Sequence, residues 1–251
     1  ALGASALRGD EGPLKVAPYP RRTGVGDAVI EACETLGLKR KEDINELDHE
    51  GVAYLTYTLS RGVRQSAAQA FLKPARKRRN LKVMTDTQVQ RVLFDGHRAI
   101  GVSAREGTAD PVIHRARREV ILCAGALESP RLLQLSGIGN RALLEQLGIA
   151  VIAHSPNVGQ NMREHLLCYL QLRLHDWQES QNREFSGARL FKNALQYALT
   201  RSGVMALGPF PVGGFFKTRP GLERPDAQLM MAPYSMDFGA PTYRCELDPG
   251  M

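Results

Sequence analysis

Residues 120–139 read VILCAGALESPRLLQLSGIG. Val120-Ile121-Leu122-Cys123 is an apolar run that suits a strand buried on both faces. Ala124-Gly125-Ala126 then removes bulky side chains, so another backbone or a flat ligand can approach closely, and Gly125 can take a positive φ. Ser129 suits a helix N-cap, with Pro130 at the first helical position, where a missing N–H costs nothing. Residues 131–135 supply a turn or slightly more, and Ser136-Gly137 stops it. Free amides at such a helix start favour an anionic group, and ligands of open α/β sheets sit at strand carboxyl ends. Taken alone, however, a small-residue βα turn needs no ligand, because tight packing accounts for it.

Working outward, strands are expected at 81–85 and 89–94, with Asp95-Gly96 turning into a third at 99–103. Residues 112–119 lead into the strand at 120–123. Downstream, helices are expected at 130–135 and 141–147, and a strand at 149–153. Residues 158–162 read as loop and 166–174 (LLCYLQLRL) as a strand. A helix at 188–200, a glycine-rich passage at 203–214 and strands at 215–218 and 227–232 complete that side. Upstream, residues 1–24 are punctuated by Gly and Pro, 26–36 form a helix stopped by Gly37, and 64–72 looks helical. Strands mixed with helices indicate an α/β (α+β mixed) protein. Texture places a boundary near 157–166. The chain divides into a linker and substrate-side segment at 1–60, a central domain at 61–165 and a further domain starting at 166–251.

The bulk composition is that of an ordinary globular protein, 43% apolar and 24% charged over 251 residues. The longest apolar runs are far too short to span a bilayer as a helix. Four cysteines lie far apart with no CxxC pair, which points to reduced core thiols in a cytoplasmic protein rather than to zinc or a disulfide framework. The formal charge of +7 invites a nucleic-acid partner. Against that, the basic residues are dispersed, Trp177 is the single tryptophan, and the one dense cluster, Arg76-Lys77-Arg78-Arg79, follows a helix whose negative end suits cations. The expectation is no nucleic-acid binding. Both ends look cut rather than finished, so an internal piece of a longer protein is expected.

Gly125-Ala126, Ser129-Pro130, Leu132-Leu133 and Ser136-Gly137-Ile138-Gly139 together resemble the second signature of the glucose–methanol–choline (GMC) flavoprotein oxidoreductases. Flanking residues extend the resemblance. Upstream are Asn80-Leu81, Val83, Thr85, Val89 and Ala99-Ile100-Gly101-Val102; downstream are Leu147-Gly148-Ile149, Asn157 to Met162 and Glu164-His165-Leu166. Arg8-Gly9, Glu11 to Leu14 and Gly213-Gly214-Phe215 resemble the choline dehydrogenase-like branch.

The resemblance implies an FAD/NAD(P)-binding Rossmann-like domain joined to a GMC substrate-binding domain. It also implies FAD as cofactor and hydride transfer from a small-molecule alcohol, with the electron acceptor left open. By position, Val89 would contact the adenine through its backbone, and Ala124 and Gly125 would lie against the dinucleotide. Peripheral membrane association of the full-length enzyme is a further expectation.

Two family features are missing from the chain. No GxGxxG follows an early strand, and none of His49, His97, His114, His154, His165 and His175 stands in the context of the family's catalytic histidine. No catalytic residue is therefore assigned, and the isolated chain is expected neither to retain FAD nor to oxidise alcohol. Pro211 stands where the choline branch carries an acidic residue, which weakens choline against a less polar alcohol. An FAD-containing hydroxynitrile lyase of the same family, or a non-catalytic basic module, are the alternatives.

Overall fold

A computed structural model of the chain describes residues 3–174 and 180–237. Strand β1 (Ala17–Pro18) precedes helix α1 (Gly24–Thr35), and β2 (Gly51–Tyr54), β3 (Thr56–Tyr57), β4 (Leu59–Ser60) and β5 (Val63–Arg64) follow. A π-helical turn at Ala68–Leu72 runs into α2 (Lys73–Ala75). Next come β6 (Thr87–Asp95), β7 (Arg98–Glu106), β8 (Val112–Arg115), α3 (Gly125–Leu135), β9 (Ile138–Gly139), α4 (Arg141–Gln146) and β10 (Ala153–His154). The series ends with α5 (Gly187–Thr200), β11 (Val212–Phe216) and β12 (Ala227–Met231). The fold is mixed α/β, as expected. Its contacts divide into two compact units: Arg79–Cys168, and the described part of Ala1–Arg78 with Tyr169–Met251.

The second of these units is built on an antiparallel sheet in the order β12-β11-β2. Helix α1 starts where Thr23 Oγ1 accepts the Gly26 N–H at 3.1 Å, and it buries Val25, Ile30 and Cys33. Those residues join Val52, Val212 and Met231 in one apolar cluster. Fully buried side chains such as Ile30, Val52 and Val212 contribute about 1.5–3 kcal/mol each by leaving water.

In the unit Arg79–Cys168, β6 and β7 form the expected hairpin across Gly96-His97, and β8 pairs with β7. The register slips between Val89 and Arg91, which marks a bulge at Gln90. Strand β6 lies at the sheet edge, where α3 packs against it. Beyond α3, β9 and β10 pair in parallel; among the described residues Arg40 and Val52 also pair in parallel, as an isolated bridge.

Several expectations need correction. Residues 81–85, 120–123 and 166–174 form no strands, although their alternation or apolarity suits one. A strand exists by its ladder, and no named strand pairs with these segments among the described residues, where only Arg173 takes part in an isolated bridge. Several of their apolar side chains stand open, Ile121 at 73% and Leu166 at 93% exposure, although Leu174 packs against the apolar cluster. Helix α3 begins at Gly125, with Ala124 in the N-cap position, so Ser129 is not its cap and Pro130 lies inside it. The strand expected at 149–153 shortens to β10, which is displaced toward His154. The helix expected at 64–72 is confined to the π-helical turn and α2, because 59–64 is taken up by the β4–β5 hairpin. Of the four cysteines expected in the core, Cys33 is buried, whereas Cys123 and Cys168 are exposed. Cys245 lies outside the described residues.

Candidate functional site

The three residues carried over from the family resemblance sit on two elements of one unit. Val89 is on β6, opposite Ala104 of β7 and beside the bulge. Ala124 and Gly125 head α3. As an edge strand, β6 has amides on its outer side with no ladder partner. One of them, the Val92 N–H, donates to Ser136 Oγ at 2.8 Å, and that hydroxyl donates on to the Leu132 carbonyl at 2.5 Å. Val92, Leu132 and Ser136 are all buried, so this link at the C-terminal end of α3 is screened from water.

The opposite end of α3 is open. Gly125 has φ +86°, and a Cβ built on it would meet no atom within 4 Å among the described residues. Gly137 has nearly the same φ, +89°, yet a Cβ there would lie 2.4 Å from the Ala150 carbonyl oxygen. The glycines of the 120–139 passage therefore serve different ends. Gly137 lets β9 and β10 come together, whereas Gly125 presents bare left-handed backbone to open space. Ser129, expected as a cap, instead accepts the Ala124 N–H at 3.0 Å from within the helix and fixes the backbone just before Gly125.

The structure joins β6 to α3 but brings no atom of Val89 within 4 Å of the Gly125 Cβ position. As one wall of a site, Val89, Ala124 and Gly125 would bring no titratable side chain of their own. Such a wall can accept a flat or extended group through backbone and van der Waals contact, and it moves no proton. An FAD adenosine moiety fits that chemistry, because its planar base and sugar need room and backbone partners more than charge. The groups with clearly shifted pKa values lie in the other unit: burial pushes Tyr19, Tyr54, Tyr57 and Cys33 up, and local hydrogen bonds hold Asp48 and Asp226 down.

The described histidines have surface or structural settings. His154 Nδ1 accepts the Arg141 N–H at 3.1 Å at the start of α4. His97 is exposed in the β6–β7 turn, His165 is exposed, and His49 packs beside Phe215 at 6.2 Å between ring centroids. His114 lies on β8, and His175 falls outside the described residues. Among the described residues, no group of His, Cys, Asp and Glu could hold a metal ion. The link from Ser136 to Val92 escaped the sequence, where Ser136 reads only as a helix stop. Nothing in the spacing of the two residues reveals it.

Residues 4–167 match the family described as GMC oxidoreductase. The chain is 40% identical over 240 residues to the mitochondrial choline dehydrogenase of Homo sapiens, covering 92% of this chain and 39% of that protein. Among solved structures it is similar to pyridoxine 4-oxidase from Mesorbium loti, with TM-score 0.70 and 25% identity over 94% of this chain and 44% of that one. An FAD-dependent oxidoreductase from Chaetomium thermophilum shares the fold, with TM-score 0.74 and 24% identity over 84% of this chain and 38% of that one. The chain thus spans about two fifths of the length of these relatives. With the signature passage, the β6–β7 hairpin and α3 all inside the matched range, the chain belongs to the GMC oxidoreductase family.

Proposed function

We propose that this chain forms part of an FAD-dependent oxidoreductase acting on the CH–OH group of a small primary alcohol. Within it, the unit Arg79–Cys168 provides one wall of the cofactor site. The observation that carries this is Gly125: exposed, left-handed and facing open space at the head of a helix that is otherwise tightly anchored. The similarity to choline dehydrogenases and to an FAD-dependent oxidoreductase supports it. When bound, FAD supplies the hydride acceptor. The chain's own part is placement: Val89 offers β6 backbone, and Ala124 and Gly125 offer a surface free of side chains. Ser129 holds the Ala124 amide in position.

Pro211 bears on the substrate. It is fully buried at the entrance to β11, and its carbonyl accepts the Leu55 N–H at 2.8 Å. No carboxylate stands at this position to attract a quaternary ammonium, which favours a less polar primary alcohol over choline. The test is anaerobic addition of choline, and separately of uncharged primary alcohols, to the purified full-length protein carrying FAD. Bleaching of the visible flavin band by an alcohol is the expected result, and stronger bleaching by uncharged alcohols supports the substrate preference. A flavin-loaded protein bleached by none of them would sink the proposal.

A further inference from the structure

A cleft of about 420 Å³ opens in the unit that contains α1 and α5, and its lining includes no residue of the wall described above. Its lining is apolar at Ala17, Pro18, Leu59 and Leu207, and three arginines, Arg21, Arg61 and Arg201, also line it. All three arginines are exposed, and none has a carboxylate within ion-pair distance among the described residues. No acidic residue lines the cleft.

The arginines are held there by backbone. Arg61 and Gly62 form the two-residue turn between β4 and β5. Gly62 abuts the end of α5 so closely that a Cβ on it would lie 1.8 Å from the Arg201 carbonyl oxygen. Arg61 and Arg201 themselves adopt left-handed conformations, with φ of 50° and 53°. Glycine would take either position without the steric cost, about 1–2 kcal/mol, that a side chain incurs there. The chain places a cation at both. Arg201 is further steadied over the Tyr197 ring, 5.1 Å from its centroid. Arg201 caps the C-terminus of α5, whose macrodipole amounts to roughly half a negative charge. That offsets only part of three full positive charges.

We infer that this cleft binds a small amphiphilic organic anion, an apolar body seated on the proline and leucine floor with its carboxylate among the arginines. The inference goes beyond the proposed oxidoreductase function and does not depend on it. Guanidinium groups suit carboxylates through paired, charge-assisted hydrogen bonds, and a concave apolar floor selects for a tail over a bare ion.

The test uses calorimetric titration of the full chain with octanoate, and with octanol, octylamine and inorganic phosphate as comparators. Saturable binding of octanoate, weakened by added salt, is expected, with the three comparators binding far more weakly. Arg61→Asn and Arg201→Asn, which keep a residue that tolerates left-handed backbone, should each weaken octanoate binding about tenfold. Arg21→Gln, at a position with ordinary backbone, should do the same and guards against misfolding in the other two. Octanol binding as tightly as octanoate, phosphate binding as tightly as octanoate, or unchanged octanoate affinity in all three variants would each overturn the inference.

Discussion

Ser136 Oγ accepts the Val92 N–H at 2.8 Å, and this one hydroxyl ties the end of α3 to the unpaired edge of β6. The bond is buried, so losing it leaves the Val92 amide without a partner and without water. Ser136→Ala should therefore cost about 1–3 kcal/mol, the usual penalty for a stranded buried donor. Urea unfolding of the variant against the parent chain checks this. A change below a few tenths of a kcal/mol would mean that the edge of β6 finds another partner.

Gly125 and Gly137 share a left-handed backbone but differ in their surroundings, which separates their substitution effects. An alanine at either position carries conformational strain of about 1–2 kcal/mol. Only at Gly137 does the new Cβ also collide with backbone, at 2.4 Å from the Ala150 carbonyl oxygen. Gly137→Ala should be the more destabilising by about 1–3 kcal/mol, the range for overpacking in a close-packed region. Equal midpoints of thermal unfolding would refute the distinction. In the FAD-loaded full-length protein the order should reverse for cofactor retention, with Gly125→Val releasing flavin more readily than Gly137→Ala.

The contrast between these glycines also shows what the sequence could reveal. The helix inside the passage from Ala124 to Gly139 is legible in the sequence, though not its start, and α1, α4, α5 and the β6–β7 hairpin follow from periodicity, caps and the Asp95-Gly96 turn. Local signals fix such elements because their bonds close within a few residues. The segments at 81–85, 120–123 and 166–174 were misread for the opposite reason. Alternation tells which face a strand would bury, but the ladder partner is supplied by distant residues. The left-handed arginines at 61 and 201 were equally invisible, since nothing about Arg in sequence signals a positive φ. The positive φ of Gly125 is readable from the sequence, but the open space in front of it is not.

Tyr19 provides a titration test of the other unit. Burial, with the neighbouring Tyr57 adding to it, pushes its phenol up from 10.0 to about 12, and its hydroxyl donates to the Gly208 carbonyl at 3.3 Å. Between these two pH values the folded chain keeps the proton and the unfolded chain loses it, so unfolding releases a proton. The stabilisation from this group is full below pH 10 and is lost as pH rises toward about 12. Stability measured by denaturant across this window should fall more steeply in the parent chain than in Tyr19→Phe. Identical slopes would show that Tyr19 titrates normally.

Asp43 gives the mirror image at acid pH. Burial alone would raise its pKa, but the Asn45 N–H at 3.0 Å, the Asn45 amide at 2.9 Å and the Arg8 guanidinium together outweigh it, and the carboxyl sits below its ordinary 3.8. A depressed carboxyl contributes stability that is present above its unfolded pKa and lost as pH falls through the folded one. Arg8→Ala removes one of the groups that favour the charged form and leaves the buried carboxylate to Asn45 alone. The variant should lose about 1.5–3 kcal/mol at neutral pH, as for a hydrogen bond to a charged group. The deficit should shrink as pH drops below 3.8, where the carboxylate is protonated in the unfolded chain and then in the folded one. Unfolding free energies of both chains, measured from neutral pH into the acid range, decide the matter. A deficit that stays constant with pH would assign the role of Arg8 to packing of its aliphatic stem rather than to its charge.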